Sequence, residues 1–327
     1  MMQRIDYIDR MKGLAIFLVV LGHVYYYAFE RSNSILATFV GSFHMPLFMF
    51  LSGLVACSGV IPPYWNLSKI LRKIRALLLP MFVFGLLFSD VFTLDFSQRI
   101  MGFLESPSKY GYWYLMTLTV FYLSLSLFRF NVKQKWYLDV ALAVFIWGGM
   151  LLLWKYTAQT ADYFCLLNCG NFYPFFMLGV FTTKYKLLEK VKRLNWLFSV
   201  CLFTYIVLFN IEIPFHALLS LNRHIVLPFC MLYVIVTIFL ARNGKNSPLE
   251  KILEYVGKRT LDIYVIHYFI ICHLHLGFID KWMEATDNIL ISLVLSFFIA
   301  VIVLCISTFV GYVLHKGVLI EKIAFGK

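Results

Sequence analysis

The chain has 327 residues, of which 61% are hydrophobic and 14% are charged, and its formal net charge is +12. Soluble globular domains have about a quarter of their residues charged, so this composition, with a mean hydropathy of +0.80, excludes a soluble globular protein. Because a helix needs about 20 apolar residues to cross a bilayer, the sequence predicts an all-α integral membrane protein. We expect a bundle of ten transmembrane helices in a single membrane-embedded domain over residues 1–327. The predicted spans lie near 12–29, 36–59, 76–94, 112–128, 137–154, 164–182, 196–211, 217–240, 261–279 and 288–314.

The distribution of basic residues predicts the orientation of these helices. If both termini are cytoplasmic, 23 of the 29 Lys and Arg residues fall in cytoplasmic segments, and no outside loop holds more than two. This is the asymmetry that the positive-inside rule describes. The positive charge therefore reflects topology rather than a nucleic-acid partner, and membrane lipids are the expected surroundings.

The first span has some features of a signal peptide, since Arg4, Arg10 and Lys12 precede its apolar core. However, Asp6 and Asp9 dilute that positive flank, and no A-x-A cleavage signal follows the span. Both features argue against a cleaved leader. We interpret the segment as a retained helix.

Two ionisable residues of this first span lie on one face of the helix. Lys12 and His23 are eleven positions apart, which places them within about 20° of each other and about 16 Å apart along the axis. An ionisable side chain in hydrocarbon is costly and usually marks a function. The alternative is a lysine that extends to the membrane surface and a buried histidine with a structural hydrogen bond.

Two later spans add polar residues at a comparable depth. His44 precedes Pro46, which removes a backbone hydrogen bond inside the second span, and Tyr264 and His267 lie in the ninth span. Three histidines from three helices could bind zinc, but no helix supplies paired ligands at i and i+4, so no metal is expected. Independent structural roles for the three histidines are the other alternative.

A basic cluster follows the second span on the predicted cytoplasmic side, and it contains Lys69, Arg72, Lys73 and Arg75. Arg72 and Arg75 lie one helical turn apart, and a guanidinium group can bind phosphate oxygens through two parallel hydrogen bonds. The cluster is either an ordinary positive-inside flank or a binding site for a cofactor that carries phosphates.

The segment NSPLEKILEYVGKR, residues 246–259, predicts a short helix between the eighth and ninth spans. Ser247 and Glu250 fit a capping box, Pro248 suits the first helical position and Gly257 can end the helix. Its apolar stripe consists of Leu249, Ile252, Leu253 and Val256. A helix of this kind is expected to lie on the cytoplasmic face of the membrane.

Together these motifs resemble acyltransferase family 3, whose members are ten-span bacterial membrane proteins that O-acylate, mostly O-acetylate, extracytoplasmic carbohydrates. The matching stretches are the Lys12-x10-His23 spacing, FHMPLFMFLSG (43–53), RKIR (72–75), YWYL (112–115) and GKRTLDIYVIH (257–267). The second of these is similar to the motif of the fucose 4-O-acetylase-like subgroup. One departure is Lys12, where many relatives have arginine, so a bidentate contact is not available at that position.

The resemblance implies an O-acetyltransferase of the bacterial cytoplasmic (inner) membrane, with acetyl-CoA as acyl donor and a glycan or lipid-linked sugar as acceptor. His23 would be the general base, since an imidazole titrates near neutral pH. His267, His44 and Tyr264 would orient that base or stabilise the oxyanion. Whether the acyl group passes directly to the sugar or through an acyl-enzyme is left open.

The same resemblance implies that the basic cluster binds the donor. Arg72 and Arg75 would hold the phosphates of acetyl-CoA at the cytoplasmic entrance, with Lys12 and Lys69 assisting them. The alternative function is a polytopic transporter that uses intramembrane histidines for substrate or proton binding. A transporter predicts paired interrupted helices in two halves of the chain, and the sequence does not contain such a pair.

The predicted topology can be tested by labelling. We expect cysteines introduced at Lys73, Lys190 or Lys251 to resist an impermeant thiol reagent added outside intact cells, because these positions are predicted to be cytoplasmic. Cysteines at Lys109 or Lys281 should react, once the native cysteines have been replaced. The opposite labelling pattern would contradict the ten-span topology.

Overall fold

A computed structural model describes residues 6–29, 34–57, 67–88, 96–128, 135–157, 161–274, 276 and 289–325. Over these residues the protein is all-helical, as predicted, without strands. The α-helices are α1 Asp6–His23, α2 Ile35–Gly41, α3 His44–Cys57, α4 Leu67–Phe88, α5 Phe96–Glu105, α6 Trp113–Ser124, α7 Trp136–Thr157, α8 Leu166–Lys184, α9 Leu187–Val191, α10 Trp196–Asn210, α11 His216–Leu221, α12 Leu227–Ala241, α13 Pro248–Gly257, α14 Thr260–His273, α15 Ile289–Leu314 and α16 Val318–Phe325. Short π-helical segments, Val24–Ala28 and Asn222–Val226, extend α1 and precede α12.

The helices group into two compact units. The first unit contains the described residues of 3–52 and 185–311, and the second contains those of 53–184 and 312–327. The three histidines of the predicted site all belong to the first unit. Arg72 and Arg75 belong to the second.

Each predicted span coincides with helix among the described residues. Five segments are long and apolar enough to cross a membrane: Asp6–Ala28, Ile35–Ala56, Trp136–Thr157, His216–Ala241 and Leu290–Leu314. Three shorter apolar helices, Trp113–Leu127, Trp196–Asn210 and Thr260–His273, occupy predicted spans, and α4 and α8 occupy the remaining two. The ends of several spans, among them 58–59, 89–94 and 277–279, lie outside the described residues. A multi-pass membrane protein is supported, while ten crossings and cytoplasmic termini stay predictions.

The second span is broken just before His44. Helix α2 ends at Gly41, a turn follows at Ser42 and Phe43, and α3 begins at His44. Pro46 explains the break, since it lacks the N–H that would bond the carbonyl of Ser42 four residues earlier. His44 therefore lies at the N-terminus of α3, three residues after the end of α2.

Helices α1 and α13 pack with their backbones in close contact, and two glycines permit this. A Cβ atom added at Gly13 would lie 2.0 Å from the carbonyl oxygen of Leu253, and one added at Gly257 would lie 1.7 Å from that of Asp9. Real Cβ atoms do not approach so closely. Any larger residue at Gly13 or Gly257 would therefore push the two helices apart.

A buried arginine connects α1 to the start of α13. Arg10 is 2% exposed, and its guanidinium donates to the carbonyl of Lys245 at 2.7 Å and to the Asn246 side chain at 3.0 Å. The carboxylates of Glu250 and Glu254 lie 4.0 and 3.8 Å from it. A guanidinium removed from water needs such partners, so the network sets the position of α13 on α1.

The N-terminus of α13 has the predicted capping box. The Ser247 side chain accepts from the backbone N–H of Glu250, whose carboxylate accepts from the N–H of Ser247. The Ser247 N–H and Arg242 keep the pKa of Glu250 below its usual value, because both stabilise the carboxylate. The residues of the predicted apolar stripe differ in burial. Val256 is buried, whereas Leu249 and Ile252 are 63% and 59% exposed.

One position proposed for labelling from outside is unsuitable. Lys109 is fully buried, and its ammonium donates to the carbonyls of Leu104, Ser106 and Asp162 at 2.5, 2.7 and 2.7 Å. A cysteine there would be unreactive and would leave three carbonyls without their donor. Ser108, which is exposed on the same loop, replaces it as the reporter, and Lys281 lies outside the described residues.

Candidate functional site

The candidate site begins where α1 changes its helical geometry. His23 is the last α-helical residue, and Val24–Ala28 continues as a π-helix. The backbone N–H of Phe29 accordingly bonds the carbonyl of Val24, five residues earlier, at 3.1 Å. Single π-turns inside α-helices are rare and often occur at functional sites. This one widens the helix immediately beyond the predicted base.

His23 contacts His267 of α14 directly. The Nδ1 atom of His23 lies 3.0 Å from the Nε2 atom of His267, and the two rings are inclined by 17° with centroids 5.1 Å apart. His267 is 1% exposed, whereas His23 is half-buried. The structure thus brings together two of the predicted site residues, from the first and ninth predicted spans.

The hydrogen-bond partners of the pair assign its protons. The Nδ1 atom of His267 lies 2.8 Å from the carbonyl oxygen of Ile263, and a carbonyl only accepts, so Nδ1 carries the hydrogen. In a neutral imidazole the other nitrogen is then an acceptor. His23 must therefore donate from Nδ1 to His267, which leaves Nε2 of His23 with a lone pair.

This arrangement is chemically that of an oriented base. The second ring nitrogen of a histidine determines which tautomer it adopts, and here His267 holds His23 with Nε2 free to accept a proton. Once Nε2 of His23 is protonated, the Nδ1–H of the same ring still donates to His267, but the donor ring now carries a positive charge. Hydrogen bonds from a charged donor are stronger than those between neutral groups. His267 would then stabilise the imidazolium form of His23.

The other predicted residues of this group lie around the pair. The Tyr264 ring is buried, and its centroid is 5.9 Å from that of His267. His44 is within electrostatic range of His23, and its Nδ1 donates to the Val40 carbonyl at 2.8 Å. By the same reasoning its Nε2 has a lone pair, so neutral His44 presents an acceptor and is not suited to donate to an oxyanion.

Lys12 lies near the start of α1, eleven residues before His23. Its ammonium is 3.5 Å from a carboxylate oxygen of Asp9, and its side chain is 23% exposed. An anion bound by Lys12 would have to compete with that carboxylate. Lys12 is therefore a weaker candidate for phosphate binding than the sequence suggests.

The basic cluster occupies the first turns of α4. Arg72 and Arg75 are both exposed, and α4 runs without interruption from Leu67 through the basic segment into the apolar one. The side chain of Lys69 lies outside the described residues. The exposed guanidinium groups thus lie on a continuous helix.

The zinc alternative finds no support in the part of the chain that is described. No group of three or more His, Cys, Asp or Glu side chains there is placed to hold a metal ion.

Two tyrosines beside His23 were missed by the sequence reasoning. The rings of Tyr27 and Tyr268 lie 5.4 and 5.6 Å from the His23 ring. Tyr268 follows His267 in the sequence, and Tyr27 is four residues after His23. These spacings were the available signal in the sequence. The chain has 20 tyrosines, however, and the sequence does not show which of them face His23 until the packing of α1 against α14 is known.

Comparison with known proteins identifies the family. The family described as "Acyltransferase domain", acyltransferase family 3, matches residues 5–314. The chain is 30% identical over 177 residues to the nodulation protein NolL of Sinorhizobium fredii, a match that covers 48% of this chain and 46% of that protein. It thus spans about half the length of that curated relative. No solved structure matches the chain. The chain belongs to acyltransferase family 3.

Proposed function

We propose that the protein transfers an acetyl group from cytoplasmic acetyl-CoA to a hydroxyl group of an extracytoplasmic or lipid-linked glycan, with His23 as the general base. The observation that supports this most is the His23–His267 hydrogen bond, because it leaves Nε2 of His23 as a proton acceptor. Acyl transfer to a hydroxyl needs such a base. The location in the bacterial inner membrane and the fucose 4-O-acetylase-like specificity are part of the same proposal.

The proposed reaction has two proton transfers at one nitrogen. Nε2 of His23 removes the proton of the sugar hydroxyl as its oxygen attacks the thioester carbonyl carbon of acetyl-CoA. The C–S bond then breaks, and the CoA sulfur takes the proton back from Nε2. The products are the O-acetyl ester and CoA thiol, and His23 returns to its starting tautomer. His267 keeps the ring oriented throughout.

In this proposal Arg72 and Arg75 bind the phosphates of acetyl-CoA, and Lys12 and Lys69 assist them with their positive charge. Two exposed arginines one turn apart on the same helix suit phosphate oxygens, since each guanidinium can donate two parallel hydrogen bonds. Tyr264 packs on His267 and would limit the movement of its ring. His44 would accept a hydrogen bond from the acceptor sugar or from water.

Substitutions at the histidine pair test the proposed base. His23→Gln should lower kcat for acetyl transfer by about 100- to 10,000-fold, the usual contribution of one positioned base, because glutamine cannot take the proton. His267→Leu should lower kcat by at least about 10-fold, because it removes the acceptor for the His23 Nδ1–H. His267→Gln offers an acceptor oxygen again and should recover part of that loss.

The matched control for these variants is His273→Gln. His273 lies in the same helix and donates from Nδ1 to the carbonyl of Phe269 at 2.8 Å, as His267 does to Ile263, but it is exposed. Its substitution should leave kcat unchanged. Near wild-type acetylation by purified His23→Gln protein would show that the imidazole is structural.

Substitutions at the arginines test the donor site. Arg72→Ala and Arg75→Ala should each raise KM for acetyl-CoA by about tenfold, since a hydrogen bond to a charged group contributes about 1.5 kcal/mol. With acetyl-pantetheine, which lacks the nucleotide phosphates, the same variants should behave like the wild type. Arg72→Lys should recover part of the affinity, because it restores the charge but not the planar fork.

Arg193→Ala is the control for this experiment, because Arg193 is an exposed arginine that is also predicted to be cytoplasmic. It should leave KM for acetyl-CoA unchanged. If Arg72→Ala and Arg75→Ala raise KM equally for acetyl-CoA and acetyl-pantetheine, the arginines do not bind the phosphates.

A further inference from the structure

Three aromatic rings meet at right angles on the half-buried side of the histidine pair. Tyr27 and Tyr268 lie 5.4 and 5.6 Å from His23 with interplanar angles of 84° and 71°. The two tyrosine rings are 5.3 Å apart at 86°. The rings of Tyr27, Tyr268 and His23 thus lie nearly perpendicular to one another, and we call this arrangement the aromatic corner.

Exposure shows from which side this corner can be reached. His267 is 1% exposed, so the pair is not accessible at His267 itself. His23 and Tyr268 are half-buried, and Tyr27 is 40% exposed. The imidazole of His23 and the two tyrosine rings beside it are therefore all partly exposed.

The π-helical segment fixes the direction of Tyr27. Tyr25, two residues earlier, is buried, and its hydroxyl donates to the carbonyl of Ser292 on α15 at 3.4 Å. This contact ties one side of the segment to the unit. Tyr26 and Tyr27 are left on the open side, and only Tyr27 has a described ring contact with His23.

We propose that Tyr27 and Tyr268 form the acceptor subsite, in which the C–H face of a pyranose ring packs on the tyrosines while one of its hydroxyl groups reaches Nε2 of His23. A tyrosine offers a flat apolar ring with a polar hydroxyl at its tip, which matches a sugar that is apolar on its faces and polar at its edge. Small-molecule sites are built from such aromatic walls with a few polar groups.

This inference rests on the proposed function, and it names where the sugar binds. The competing occupants are the acyl-pantetheine arm of the donor and the lipid interface, where tyrosines are common anchors. An anchor needs no contact with His23. Tyr26 has this character, since it is 55% exposed and, among the described residues, its ring contacts that of Tyr27 and not that of His23. The contact of Tyr27 and Tyr268 with the base favours the acceptor.

The test compares KM for acceptor and donor in purified protein. The acceptor is whichever methyl glycoside of fucose, rhamnose, galactose or glucose the wild type acetylates fastest from acetyl-CoA. Tyr27→Leu and Tyr268→Leu should raise KM for the glycoside by about 5- to 10-fold, in line with about 1 to 1.5 kcal/mol for an aromatic contact. KM for acetyl-CoA should not change. Tyr27→Phe keeps the ring and should stay within about threefold of the wild type.

Tyr26→Leu is the matched control and should leave both KM values unchanged. The subsite is wrong if Tyr27→Leu leaves KM for the glycoside unchanged, if KM for acetyl-CoA rises instead, or if Tyr26→Leu has the same effect as Tyr27→Leu. A wild-type protein that acetylates none of the four glycosides would overturn the proposed sugar acceptor itself, and the subsite with it. The two failures are therefore distinguishable.

Discussion

The hydrogen-bond chain from the Ile263 carbonyl through His267 to His23 is the interaction on which the proposed chemistry depends. The carbonyl fixes the proton of His267, and His267 in turn fixes the tautomer of His23. The chain has the logic of a catalytic triad, in which one group orients a base and stabilises its charged form. Here a buried imidazole takes the part of the carboxylate, which avoids a permanent negative charge inside the membrane, where it would be costly.

The packing of α1 supports this chain. The helix that ends in His23 is held near its start by the close approach at Gly13 and Gly257 and by the buried network of Arg10. Because α13 leads directly into α14, which carries His267, both contacts fix the two helices that must meet at the imidazoles. A glycine pair and an ion network far from the base therefore contribute to the 3.0 Å contact.

Much of this could be predicted from the sequence, because the signals were local. Apolar length predicted the positions of the helices, Ser247 and Glu250 predicted the cap of α13, and Pro46 predicted the interruption near His44. The spacing of Lys12 and His23 pointed to the family. The pairing of His23 with His267 could not be predicted from the sequence, since the periodicity of one helix does not show which other helix packs against it. The π-turn, the burial of Lys109 and the corner formed by Tyr27 and Tyr268 likewise depend on tertiary contacts.

The tautomer of His23 is the most direct test of the account. Protein labelled with 15N-histidine and reconstituted in lipid would be measured by NMR near pH 7.5, with His23→Gln and His267→Gln spectra used to assign the two rings. Both rings should be neutral, with the hydrogen on Nδ1 and a lone pair on Nε2. A His23 ring protonated on Nε2 in the resting protein would contradict it, because that nitrogen could not then accept the proton of the sugar.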